Sequence, residues 1–141
     1  MGNQVSIKKI GFEDVQHIIK HKKGHYLLIN TLNTTGQQCL ILNTVPAQNE
    51  ESIIDKYKHK NIHIIIYGRN ANDETIFKKY EQLLTLGFNY VYVYTGGLFE
   101  WLLLQDIYGK DEFPTTSEEL DILKYRSPIS LIERPLLQDI D

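Results

Sequence analysis

Residues Ile64 to Trp101 read IIIYGRNANDETIFKKYEQLLTLGFNYVYVYTGGLFEW. With Ile62 just ahead, the opening run to Tyr67 is β-branched and continuously apolar, the pattern of a strand buried on both faces. A polar loop from Gly68 to Glu74 follows. Ile76, Phe77, Tyr80, Leu83 and Leu84 then recur at i, i+1, i+4, i+7 and i+8, which predicts a helix closed by Gly87, with Asp73 as its N-cap. Tyr90 to Tyr94 is a second β-rich run. Thr95, Gly96 and Gly97 end it, and Leu98, Trp101 and Leu102 open another helix. Strand, loop, helix, strand, loop and helix in this order imply a parallel sheet covered on both faces.

The same alternation extends toward the N-terminus. Phe12, Val15, Ile18 and Ile19 repeat at helical spacing, and Tyr26 to Ile29 is a short apolar run. After the polar stretch Asn33 to Gln38 comes a second short run, Cys39 to Leu42, and Ile53, Ile54 and Tyr57 mark a short helix. No repeat or linker interrupts the chain before about Asp111, so residues 1–109 are expected to form one domain and 110–141 a C-terminal extension. In that extension Phe113-Pro114-Thr115-Thr116 breaks the preceding helix. Ser117 to Glu119 are placed to cap one more short helix holding Leu120, Ile122 and Leu123. Pro128 and Pro135 keep the rest extended.

The 141 residues, 42% of them hydrophobic, suffice for one core. The net charge of −3, with lysines scattered among acids, provides no basic face for a phosphate backbone, so no nucleic-acid partner is expected. The apolar stretches are too short to span a bilayer. One cysteine, Cys39, excludes an internal disulfide and a cysteine-rich metal site, which suits a reducing, cytoplasmic setting. No cleavable targeting pattern opens the sequence.

The frame from Tyr67 through Gly87-Phe88 to Gly96-Gly97 and Trp101 resembles the rhodanese-like family, which includes sulfurtransferases and cell-cycle phosphatases. That family has a strand ending in Tyr-Cys, an anion-binding loop, a helix ending in Gly-Phe, a strand, and Gly-Gly followed by Trp. Leu27 to Leu32 resembles its first core strand, so the likeness runs from about Ile7 to Tyr108. It implies a three-layer α/β sandwich with a central parallel sheet flanked by helices, here followed by an extended C-terminal tail.

The departures from the family are chemical. The resemblance places the persulfide-bearing or phosphate-attacking cysteine at the position of Gly68, and glycine carries no nucleophile. A thiolate there needs loop amides and a helix N-terminus to lower its pKa. Asp73 and Glu74 instead put carboxylates where an anion would seek those amides. The family's Asp and Arg after the first core strand are Asn30 and Leu32. The chain is therefore expected to be no enzyme, with no cofactor and no metal.

The other candidates divide as follows. Cys39 lies in an apolar run and reads as a small core residue. Gly96-Gly97 reads as a tight turn and Trp101 as core. His17 and His21, at i and i+4, have no evident third metal ligand. Arg69 reads equally as a surface residue and as a contact for an anion or a partner's carboxylate. Met1-Gly2-Asn3-Gln4-Val5-Ser6 matches the M-G-x-x-x-[ST] pattern for N-myristoylation at Gly2, a pattern that also arises by chance. One acyl chain gives only weak membrane attachment. Ile129, Leu131, Ile132, Leu136, Leu137 and Ile140 form a proline-punctuated apolar tail suited to docking on a protein partner.

The expected function is a non-catalytic interaction or structural subunit, with the tail and the loop Gly68, Arg69, Asn70, Ala71, Asn72, Asp73 and Glu74 as contact surfaces. The alternatives are an anion or small-molecule sensor built on that loop and, last, an enzyme using Cys39. The family resemblance extends by analogy to inactive members in eukaryotic signalling, cytoskeletal and ciliary assemblies, hence a cytoplasmic, membrane-surface or cytoskeletal location.

Overall fold

The computed structural model describes residues 6–21 and 24–128. A parallel sheet of five strands has the order β1-β5-β4-β2-β3. Its strands are β1 (Lys9–Ile10), β2 (Tyr26–Asn30), β3 (Thr44–Val45), β4 (His63–Tyr67) and β5 (Tyr90–Tyr94). Four helices cover it: α1 (Phe12–His21), α2 (Ala47–Lys56), α3 (Thr75–Thr85) and α4 (Gly97–Tyr108). β4 pairs in parallel with β2 on one side, Leu28 opposite Ile65, and with β5 on the other, Ile65 opposite Tyr92.

Alternation along the strands divides the interior into two layers. Ile65 and Tyr67 face the layer of α1 and α4, where Val15, Ile19, Leu98, Trp101 and Leu102 pack. Ile64 and Ile66 face α2 and α3, against Ile54, Ile76, Tyr80 and Leu83. This double burial explains the unbroken apolar run of β4. Helix α3 ends as its sequence predicts, because Gly87 adopts φ +102° and the Phe88 amide reaches back to the Leu83 carbonyl at 3.2 Å.

Three local expectations are corrected. Cys39 to Leu42 forms no strand of the sheet; Ile41 makes only an isolated antiparallel bridge to Thr115, and the edge strand is Thr44–Val45. The run is apolar because it is buried in the α1/α4 layer. The N-cap position of α3 is Glu74, whose side chain makes no capping bond, while the Asp73 carboxylate accepts the Thr75 amide at 3.0 Å. The helix expected after Ser117 is instead a 3-10 turn at Ile122–Tyr125.

Packing does not stop at residue 109. Phe113 and Tyr125 are buried in the α1/α4 layer. The Trp101 indole donates to the Pro114 carbonyl at 3.0 Å and the Gln105 amide to the Phe113 carbonyl at 2.7 Å. The Thr116 amide donates to the Leu40 carbonyl at 2.8 Å. A turn-breaking sequence thus carries the chain back across its own core. Gly2 and the tail residues Ile129, Leu131, Ile132, Leu136, Leu137 and Ile140 lie outside the described residues. Among the described residues no helix is long and apolar enough to cross a membrane.

Candidate functional site

The candidate site is the loop that follows β4. Gly68, at its first position, is buried, and its φ is not in the left-handed region. Its constraint is space rather than backbone freedom. A Cβ at residue 68 would stand 2.5 Å from Asp73 Oδ2, 2.9 Å from Asp73 Cγ and 2.9 Å from Thr31 Oγ. The Asp73 carboxylate occupies the place into which a side chain at 68 would project. There its Oδ2 accepts the Arg69 amide at 2.9 Å, and its Oδ1 accepts the Thr75 amide at 3.0 Å and the Thr75 hydroxyl at 2.6 Å. The Thr75 hydroxyl in turn lies 2.8 Å from that of Thr31, at the end of β2.

The loop carbonyls are engaged as well. The Leu98 amide donates to the Gly68 carbonyl at 2.9 Å, and the Phe99 amide to the Arg69 carbonyl at 2.8 Å. The first turn of α4 is therefore satisfied by the loop rather than by an external anion. This approach needs glycine at 97, where φ is +70° and a Cβ would lie 2.8 Å from the Gly68 oxygen and 2.9 Å from the Asn70 nitrogen.

The outer side of the loop meets the C-terminal segment. Asn70 donates through its side-chain amide to the Tyr125 carbonyl at 2.8 Å and accepts the Asn72 amide at 2.9 Å. The Arg69 guanidinium donates to the Lys124 carbonyl and lies 5.2 Å over the Tyr125 ring. Asn72 donates to the Ser127 hydroxyl at 2.9 Å. Ala71 and Glu74 face solvent. Of the seven loop residues, Arg69, Asn70, Asn72 and Asp73 thus have polar side-chain partners within the chain itself. Nothing in the sequence of the Lys124 to Ser127 segment announces this role, since a tyrosine among charged residues carries no local signal of burial.

Asn30 and Leu32 belong to a neutral arrangement. Asn30 accepts the Leu32 amide at 2.9 Å and exchanges two side-chain bonds with Gln37, at 2.7 and 3.1 Å. The Cys39 thiol is buried and donates to the Ser117 carbonyl at 3.5 Å; burial pushes its pKa up, against a smaller lowering by its hydrogen bonds. A thiol so placed is a poor nucleophile. Tyr67 is fully buried, its hydroxyl accepting the Ile41 amide at 3.1 Å and pairing with the Thr44 hydroxyl at 2.8 Å, and burial raises its pKa. The Tyr94 phenol donates to Glu100 at 2.5 Å; burial first, then that carboxylate, hold its pKa above the ordinary range. The His17 and His21 rings lie 4.9 Å apart on the exposed face of α1. Among the described residues no three His, Cys, Asp or Glu side chains gather as a metal site.

Comparison with known proteins gives a family match. The model of the rhodanese-like domain matches residues 21–104. Among solved structures, the rhodanese-like domain of an Anabaena sp. protein superposes with a TM-score of 0.57 at 18% identity, covering 89% of this chain and 87% of that one. A Bacillus halodurans protein gives a TM-score of 0.58 at 19% identity, with 68% and 72% covered. A single-domain sulfurtransferase from Saccharomyces cerevisiae gives 0.53 at 17% identity, with 80% and 100% covered. At these identities the structural likeness is one of fold. A search of curated proteins finds no match.

Proposed function

The chain belongs to the rhodanese-like domain family, and from that premise we propose that it is a non-catalytic member serving as an interaction or structural subunit of a larger assembly. The observation that carries the reading is the position of Asp73. At the loop's first position the family places its reactive cysteine, whereas here Gly68 is closed over by a carboxylate that accepts the Arg69 amide. A thiosulfate or phosphate approaching those amides would meet a fixed negative charge, and no thiolate would await it.

The same occupancy counts against an anion sensor at the loop, because Lys124 and Tyr125 take its outer polar contacts. Cys39, buried and raised in pKa, offers no substitute nucleophile. The apolar residues Ile129, Leu131, Ile132, Leu136, Leu137 and Ile140 remain the proposed docking segment for a protein partner. The test is a sulfurtransferase assay with thiosulfate and with mercaptopyruvate. Turnover should equal the uncatalysed rate for the intact chain and for Cys39→Ser alike. Turnover that disappears in Cys39→Ser would overturn the proposal.

A further inference from the structure

His17 and His21 stand one helical turn apart on α1, whose other face is fixed in the core by Val15 and Ile19. Residues at i and i+4 share a face of a helix, with Cβ atoms about 5–6 Å apart. Both imidazoles are exposed, and their ring centroids lie 4.9 Å apart with the planes tilted by 46° rather than stacked. That separation has a chemical meaning. An imidazole nitrogen binds Zn²⁺ at about 2.0–2.1 Å, so two rings on one ion at tetrahedral or square-planar angles have centroids roughly 4.5–5.2 Å apart. The observed pair falls inside the spacing that one ion imposes.

The expectation of no metal rested on the want of a third protein ligand, and the described residues gather no three. A helical pair of histidines is nonetheless a chelate in its own right, the same i, i+4 arrangement that supplies two ligands of many zinc sites. On an exposed face, water takes the remaining positions. The charges nearby do not oppose a cation. Lys20, beside His21, is held by Glu112 at 3.4 Å, and Asp14 lines the same cleft as His17.

We propose that His17 and His21 chelate one divalent transition ion, Cu²⁺ more tightly than Zn²⁺, with water completing its coordination. Imidazole suits these ions, and two nitrogen donors give nothing to Mg²⁺ or Ca²⁺, which take oxygen ligands. The bound ion ties successive turns of α1 together and so stabilises the folded helix. The site is separate from the loop after β4 and does not depend on whether that loop has chemistry.

The test titrates the full chain with Cu²⁺ near neutral pH. Calorimetry should give one ion per chain, and the electron paramagnetic resonance spectrum should show coupling to two imidazole nitrogens. His17→Ala and His21→Ala should each weaken binding about tenfold or more, because the remaining imidazole then acts without its chelate partner. His59→Ala, at an exposed histidine beyond α2, should leave it unchanged. Zn²⁺ should compete for the site and Mg²⁺ should not. Acidification below the ordinary histidine range should release the ion, since imidazolium has no lone pair to donate. The proposal is overturned if binding does not saturate, if either single variant binds as well as the intact chain, or if His59→Ala weakens binding as much as they do. Half an ion per chain, with sedimentation showing a metal-dependent dimer, would also overturn it, by sharing the ion between two copies.

Discussion

Substituting Gly68 by alanine isolates the contact on which the functional reading rests. At a position with ordinary φ, Gly→Ala stabilises a protein by about 0.4–1 kcal/mol through the unfolded chain. Here the new methyl would stand 2.5 Å from Asp73 Oδ2 and 2.9 Å from Thr31 Oγ. The carboxylate would have to withdraw by roughly 1 Å to reach ordinary van der Waals separation. That breaks its 2.9 Å bond to the Arg69 amide. Losing one charge-assisted, partly exposed bond costs about 1–2 kcal/mol, and residual crowding adds about 1 kcal/mol. Net of the gain through the unfolded chain, Gly68→Ala should therefore destabilise by about 1–2.5 kcal/mol. Asp73→Ala alone, which removes the bonds to Arg69 and Thr75, should cost about 1–2 kcal/mol. The double variant keeps only the 2.9 Å approach to Thr31 Oγ, so its loss should fall short of the sum by about 1–2 kcal/mol. Urea unfolding with an unchanged m-value measures all three. Additive effects, or stabilisation by Gly68→Ala alone, would refute the claim that the carboxylate fills the place of the missing side chain.

The remaining predictions concern the C-terminal segment and the buried phenols. A chain ending at Gly109 loses Phe113 and Tyr125 from the core, each worth about 3–5 kcal/mol on the scale of large-to-small substitutions, and should give no cooperative thermal transition. A chain ending at Pro128 should melt within a few degrees of the full one, and aggregation of that shorter chain would show that residues 129–141 are part of the core. Tyr67, Tyr94 and Tyr125 have folded-state pKa values raised mainly by burial. Their protonated forms thus favour folding fully below the ordinary tyrosine value of 10.0, and this contribution is lost as pH rises above it. The unfolding free energy should decline gently above about pH 9, where the unfolded Cys39 thiol ionises while the buried one stays protonated, and then fall more steeply above pH 10, by up to ~1.4 kcal/mol per pH unit for each deeply buried phenol. Tyr94→Phe should make that fall shallower, and an unchanged slope would count against ionisation of Tyr94 as a cause.

The central frame was legible because its signals are local. The β-branched run of β4, the period of α3 and the Gly87 stop each express a backbone requirement within a few residues. Cys39 to Leu42 misled because an apolar run records burial, and here the burial comes from a loop packed under Trp101 and Phe113 rather than from strand pairing. At the site, the absent nucleophile and the nearby carboxylates could be read directly. That Asp73 folds back onto Gly68 while Glu74 faces solvent could not, since it depends on the loop's three-dimensional turn and on Thr31, which is distant in sequence. The cover that Lys124 to Ser127 lay over the loop depends on contacts spanning 55 residues, which periodicity cannot detect.

The two ends of the described core have a consequence for biosynthesis. β1 adds its two residues to the edge of β5, and Tyr125 seals the layer beneath Trp101 and Leu98. A ribosome adding about 5–20 residues per second takes on the order of ten seconds to pass from Lys9 to Tyr125. For that interval the face of β4 that carries Ile65 and Tyr67 has no complete cover. The nascent chain must therefore wait, apolar and unfinished, until its last tyrosine emerges, and a ribosome that stalls between Gly109 and Tyr125 presents chaperones with a sheet that cannot close.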